Sequence, residues 1–200
     1  VERLAHHHGG LVDVGANVGH FAAEFLGAYP RARAVLVEPD PYLGGLLAER
    51  FGSHANVQLF VGLLGPRSLP AVSLYLSRIP EGNSVLRDFA ETWGPGESRE
   101  IQAEMITLQR LLGLARIDRV DLLKLDIEGS EWELLEAFPA ELAERIDQLT
   151  VEFHDFLDPA QRARTEACLA HLRQLGYCSR CRATGHGHGS PYYDCWLHRP

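Results

Sequence analysis

Four stretches of this chain combine residue types at spacings that can do chemistry. In LVDVGANVGHF, Leu11 to Phe21, the acid Asp13 is followed by Gly15, Asn17 and Gly19. In VEPDP, Glu38 closes an apolar run about 20 residues further on, the distance at which nucleotide folds place a ribose-binding acid. KLDIEGSE carries Lys124, Asp126, Glu128 and Glu131, and VEFHD carries Glu152, His154 and Asp155. A glycine turn that opens a helix presents backbone N–H groups and a helix N-terminus to whatever binds there. An ionised carboxylate accepts from both vicinal hydroxyls of a ribose. Histidine, with an unperturbed pKa near ~6.5, takes up and returns protons near neutrality. The combination describes a nucleotide-type cofactor beside acid–base groups.

Two cofactors use such a loop. A dinucleotide turn wants G-x-G-x-x-G. Counting from Gly15, the chain has Asn17 and His20 where the second and third glycines belong. The pattern acid-x-G-x-(G/N)-x-G fits Asp13, Gly15, Asn17 and Gly19, because asparagine tolerates the left-handed backbone. The expected cofactor-binding set is therefore Asp13, Gly15, Ala16, Asn17, Gly19 and Glu38. Glu38 alone does not separate NAD from S-adenosylmethionine, and such an acid can also serve only as a helix cap or surface charge.

The elements that must position these residues follow from apolar spacing. Leu11 to Val14, Ala34 to Val37 and Val57 to Val61 read as strands. Helices near 19–28 and from Pro41 separate them, with Pro41 suited to a first helical turn. Alternating strands and helices with short links give a parallel sheet covered by helices. From Pro66 to Thr107 the pattern breaks into two β-like pieces, Val72 to Leu76 and Ile101 to Ile106. They predict a hairpin arm inserted in the scaffold, with a mobile polar tip. The alternation resumes with a helix from Leu108, a strand from Asp121 to Leu125, and a helix N-capped by Ser130. A strand from Gln148 to Phe153 and a helix from Pro159 to Leu175 follow. Two final strands, with no helix between them, must be antiparallel.

Composition sets outer limits. Two hundred residues, 46% of them hydrophobic and 23% charged, suit one soluble domain over 1–200. A net charge of −8 argues against nucleic acid or anionic membrane as the main partner. No apolar run approaches the ~20 residues of a membrane span. Four cysteines make no disulfide framework, and nothing indicates secretion, so the cytoplasm is the expected location.

LVDVGANVGHF, VEPDP, DLLKLDIEGSEWELLEAF and VEFH, in that order, resemble the FkbM-type family of S-adenosylmethionine-dependent methyltransferases. The resemblance implies the class I methyltransferase fold, a doubly wound, mostly parallel seven-stranded sheet with its last strand antiparallel. It also implies methyl transfer from S-adenosyl-L-methionine, commonly to a hydroxyl of a small molecule or sugar. By position, Gly62 and Leu63 would meet the adenine, although VGLLGP departs from the family's usual piece there. Asp126 falls where such enzymes place a polar residue near the methionine part and the reacting methyl.

Asp126 and His154 are thus the expected catalytic residues, His154 as general base. Glu128 can bind substrate or simply face the helix dipole. Lys124, lone in a buried strand, needs a partner, for which Glu131 is the candidate. Asp126 with His154 or Asp155 also resembles, in topology only, the layout of catechol-type enzymes that use a divalent cation. Cys178, Cys181, His186, His188 and Cys195 have loose zinc spacing, against which strand geometry sends Cys178 and Cys181 to opposite faces. The GHGHG loop and the Ser84–Trp93 tip are expected to form the acceptor pocket or a lid. The rival readings are N- or C-methylation at the same site, a binding module without turnover, and an NAD-binding protein. Nothing in the sequence sets the oligomeric state.

Overall fold

A computed structural model describes residues 10–183 and 190–200. The strands are β1 (Leu11–Val14), β2 (Ala34–Glu38), β3 (Val57–Val61), β4 (Leu63–Leu64), β5 (Leu69–Leu76), β6 (Arg99–Ile106), β7 (Val120–Leu125), β8 (Ile146–Glu152), β9 (Cys178–Arg182) and β10 (Asp194–His198). The helices are α1 (His20–Ala28), α2 (Pro41–Phe51), α3 (Arg87–Ala90), α4 (Leu108–Ala115), α5 (Glu131–Glu136), α6 (Ala140–Ala143) and α7 (Arg162–Gln174). Seven strands form one sheet in the order β3-β2-β1-β7-β8-β10-β9. β10 runs antiparallel to both its neighbours, and the other pairings are parallel. This is the doubly wound sheet that the alternation predicts.

The central strands are near-continuously apolar because both sheet faces are covered. Leu11, Leu36 and Leu122 point to one face, where Phe25 of α1 and Leu47 and Phe51 of α2 pack. Val12, Val14, Val35 and Val37 point to the other, against Leu111 of α4, Trp132 of α5 and Leu169 and Leu172 of α7. Local chemistry fixes the helix starts. Asp40 accepts from the Tyr42 N–H at 2.8 Å with Pro41 in the first turn, and Thr107 caps α4. Ser130 occupies the N-cap of α5 but makes no capping bond. Glu131 supplants it, its Oε1 accepting from the N–H groups of Ile127 at 3.0 Å and Gly129 at 3.3 Å. The expected helix at Pro159 begins as a 3-10 turn, and α7 proper starts at Arg162.

Strand order reverses between β1 and β7, and a doubly wound sheet opens its ligand crevice at such a point. Over this crevice lies the arm. β5 and β6 pair antiparallel, as the insertion predicts, and β4 adds a third, parallel strand. The tip between them is packed rather than projecting. Ser84 Oγ donates to the Glu128 carbonyl at 2.7 Å, and Asn83 Nδ2 donates to Asp40 Oδ2 at 3.2 Å.

Cys181 and Cys195 lie opposite each other on β9 and β10 and form a disulfide. Neither thiolate is left for zinc, Cys178 is exposed, and His186 and His188 lie outside the described residues. Among the described residues no helix is long and apolar enough to cross a membrane.

The seam between α5 and α7 offers a test of this packing. Trp132 Nε1 donates to Thr165 Oγ1 at 2.9 Å, both groups being buried. Thr165→Val strands the indole N–H and should lower unfolding free energy by about 1–3 kcal/mol in urea titration.

Candidate functional site

The site begins with a turn that only glycine can make. Gly15, at φ 75°, follows β1 directly, and a Cβ there would land on the backbone carbonyl of Asp126. β1 and the end of β7 can therefore approach only because residue 15 has no side chain. Asn17 at φ 50° and Gly19 at φ 77° carry the left-handed turn into α1, so the asparagine substitution keeps the loop.

The loop's N–H groups are largely spent within the protein. Gly15 and Ala16 both donate to the Val37 carbonyl at 3.0 Å, and Gly19 donates to the Ala16 carbonyl at 2.8 Å. The Asn17 N–H donates to Glu38 Oε2 at 2.8 Å, and the Asp40 N–H donates to Glu38 Oε1 at 3.0 Å. Glu38 thus joins the turn after β1 to the end of β2. Burial pushes its carboxyl up to about 7, against the pull of those two N–H donors.

One cleft brings together seven of the residues named from sequence as cofactor or substrate contacts: Gly15, Asn17, Glu38, Gly62, Leu63, Asp126 and Glu128. Its apolar wall comes from Leu64, Leu74 and Met105, and the arm tip adds Asn83, Ser84 and Val85. These arm residues carry no motif; only the length and glycine content of the insertion point to them. Asp13, Ala16, Gly19 and His154 stand outside the lining. Asp13 is wholly buried, and its carboxylate lies 3.4 Å from Lys124 Nζ.

Lys124 is not paired with Glu131. Its Nζ donates to the Gly15 carbonyl at 2.8 Å and lies 3.2 Å from Asp126 Oδ2. Glu131 is committed elsewhere, with Oε1 3.0 Å from His154 Nδ1. Nε2 of the same ring faces Glu128 Oε2 at 3.2 Å, Glu152 Oε1 at 3.8 Å and Asp126 Oδ1 at 3.9 Å. Burial opposes charge on His154, but Glu131 and Glu128 outweigh it and hold the ring's pKa well above the usual histidine value. An imidazolium donating from both nitrogens has no lone pair with which to accept a proton, so the geometry does not suit His154 to the general-base role that the sequence suggests. Burial and the Asp126 charge instead push Glu152 up to about 7.

Among the described residues, Asp126, Glu152 and His154 bring possible ligand atoms within 4.8 Å of one another. Asp155 does not join them; it is buried and lies 3.8 Å from Arg162. His154 would have to lose its proton before it could ligate an ion.

Comparison with known proteins agrees with this architecture. A profile of the Methyltransferase FkbM domain matches residues 13–178. The AMB antimetabolite synthetase AmbE of Pseudomonas aeruginosa is 25% identical over 221 residues, covering 95% of this chain. The chain spans only 10% of AmbE. Methyltransferase 1 of Beauveria bassiana is 27% identical over 171 residues, covering 78% of this chain and 68% of its own length. The crystal structure of methyltransferase FkbM from Methylobacillus flagellatus superimposes with a TM-score of 0.61 at 16% identity. That match covers 96% of this chain and 43% of the other. The glycine turn, the acid ending β2 and the acid-rich end of β7 all fall within the matched span, and the chain belongs to the FkbM methyltransferase family.

Proposed function

We propose that the chain transfers a methyl group from S-adenosylmethionine to a hydroxyl oxygen of a small molecule or sugar. The observation that carries this reading is Glu38, a buried carboxylate lining the same cleft as the Gly15 turn and Asp126. In this reading Glu38 would accept from the two ribose hydroxyls, and Gly62 and Leu63, which line the same cleft, would meet the adenine. Asp126 Oδ1 would face the amino group of the cofactor's methionine end, close to the reacting methyl.

In the reaction, the acceptor oxygen attacks the methyl carbon in line with the departing sulfur. The C–O bond forms, the C–S bond breaks, and its electron pair stays on sulfur. The sulfonium is already activated, so the protein's work is alignment and removal of the hydroxyl proton. Glu152 is the better proton acceptor, because its carboxyl is pushed up to about 7 beside Asp126. His154 would serve as a fixed cation that steadies Glu128 and Glu131. The name of AmbE, an antimetabolite synthetase, supports a small-molecule acceptor. A second reading, methylation of an amine, is favoured by the carboxylates of Asp126, Glu128 and Glu152 around the reacting end. A panel of hydroxyl and amine acceptors assayed with methyl-labelled S-adenosylmethionine separates the two.

Four outcomes test the assignment. Calorimetry should show binding of S-adenosylhomocysteine and none of NAD; the opposite result refutes the cofactor. Asn17→Gly should retain that binding, and Gly15→Val should abolish it. Ionised Glu38 is the form that accepts from ribose, so affinity should rise with pH through about 7. From pH 6 to pH 8 the dissociation constant should fall about tenfold, following the ionised fraction, and Glu38→Gln should flatten the profile. Glu152→Gln should lower turnover by about 100-fold or more with cofactor affinity retained. Equal loss in His154→Gln with Glu152→Gln active would return the base role to the histidine.

A further inference from the structure

Lys124 is the chain's only lysine, and it sits inside a parallel strand of the central sheet. A lone buried cation needs one opposite charge to be tolerated, and wholly buried Asp13 supplies it at 3.4 Å. The ammonium does more than that. Its Nζ lies among acceptors on three segments: it donates to the Gly15 carbonyl in the turn at 2.8 Å, and it stands 3.4 Å from Asp13 Oδ1 in β1 and 3.2 Å from Asp126 Oδ2 beyond β7. The Phe21 ring lies 5.9 Å from Nζ on the α1 side. Burial opposes the charge, but Asp13 and Asp126 outweigh it and raise the lysine's pKa.

The two oxygens of Asp126 are therefore held unequally. Oδ2 is taken by the ammonium, and Oδ1 is left 3.9 Å from His154 Nε2, at the cleft. Without Lys124 the carboxylate can turn toward the imidazolium and leave the cleft. We propose that Lys124 is a positioning residue that fixes Asp126 through Oδ2, so that Oδ1 faces the amino end of the cofactor. The same ammonium ties that carboxylate to the glycine turn, so the turn and the reacting end form one rigid unit. This rests on the reading of Asp126 given above.

Two probes separate this role from plain charge neutralisation. S-adenosylhomocysteine carries the amino-acid end; methylthioadenosine lacks it. Calorimetry would compare both on the native chain, Asp126→Asn, the pair Asp13→Asn/Lys124→Met, and that pair combined with Asp126→Asn. Removing both charges of the pair leaves none buried alone, and thermal melting checks the fold; Asp13→Asn/Lys124→Gln serves if the methionine pair does not fold. The pair should weaken S-adenosylhomocysteine about 10- to 100-fold and methylthioadenosine less than about threefold, the loss expected for one charged hydrogen bond. Adding Asp126→Asn to the pair should cost little more, because the lysine acts through that carboxylate. Equal weakening of both probes, no weakening, or full additivity overturns the inference. No effect of Asp126→Asn in the native chain overturns the Asp126 assignment and the inference with it. Loss in Asp126→Asn with an unaffected pair overturns the inference about Lys124 alone.

Discussion

The site depends on one close approach, the backbone of residue 15 lying against the carbonyl of Asp126. No side chain fits there, and the sheet reverses its strand order at that seam. With the two strand ends that close, one ammonium reaches both, and a carboxylate from the next strand reaches the turn. Spreading β1 and β7 by the width of a methyl group would separate Lys124 from Gly15, while Glu38 holds Asn17 from the other side of β1. The geometry of the cleft is thus inherited from a contact between main chains, and side chains only reinforce it.

A second constraint is charge. Asp126, Glu128, Glu131 and Glu152 surround one imidazole at the ends of neighbouring strands. Carboxylates this crowded in a partly dry site cannot all ionise freely, and burial raises Glu128 and Glu152 in response. His154 holds its proton because those carboxylates surround it. The proton affinities of Glu128, Glu152 and His154 are set by burial and this mutual crowding rather than by the intrinsic pKa of any one group.

The sheet was legible because its cause is local. Runs such as LVDV and AVLVE show their burial in their own residues, and turn residues mark their ends. The proximity of Glu38 to the Gly15–Gly19 loop was legible for a similar reason, since a fixed spacing sets the ends of two adjacent strands side by side. What remained hidden were pairings between distant residues. Lys124 and Gly15 are 109 positions apart, and Glu131 meets His154 across 23. Glu131 looked equally suited to Lys124, because sequence does not say which face of the sheet each side chain takes. The Cys181–Cys195 pair depends on the register of two strands whose connecting loop gives no hint of it. The arm tip reads as loose polar sequence, yet Ser84 and Asn83 dock it through two bonds that exist only once α2 and α5 are in place.

The sequence carries its positive charge almost wholly on arginine, and this shapes how the protein meets reactive reagents. Guanidinium groups resist acylation at neutral pH. The chain's only side-chain amine is enclosed by three oxygen acceptors beneath the glycine turn. Acyl donors that decorate ordinary lysine-rich surfaces would find no side-chain amine on the outside of this fold. Any acylation of Lys124 would register the moment when the seam between β1 and β7 comes apart.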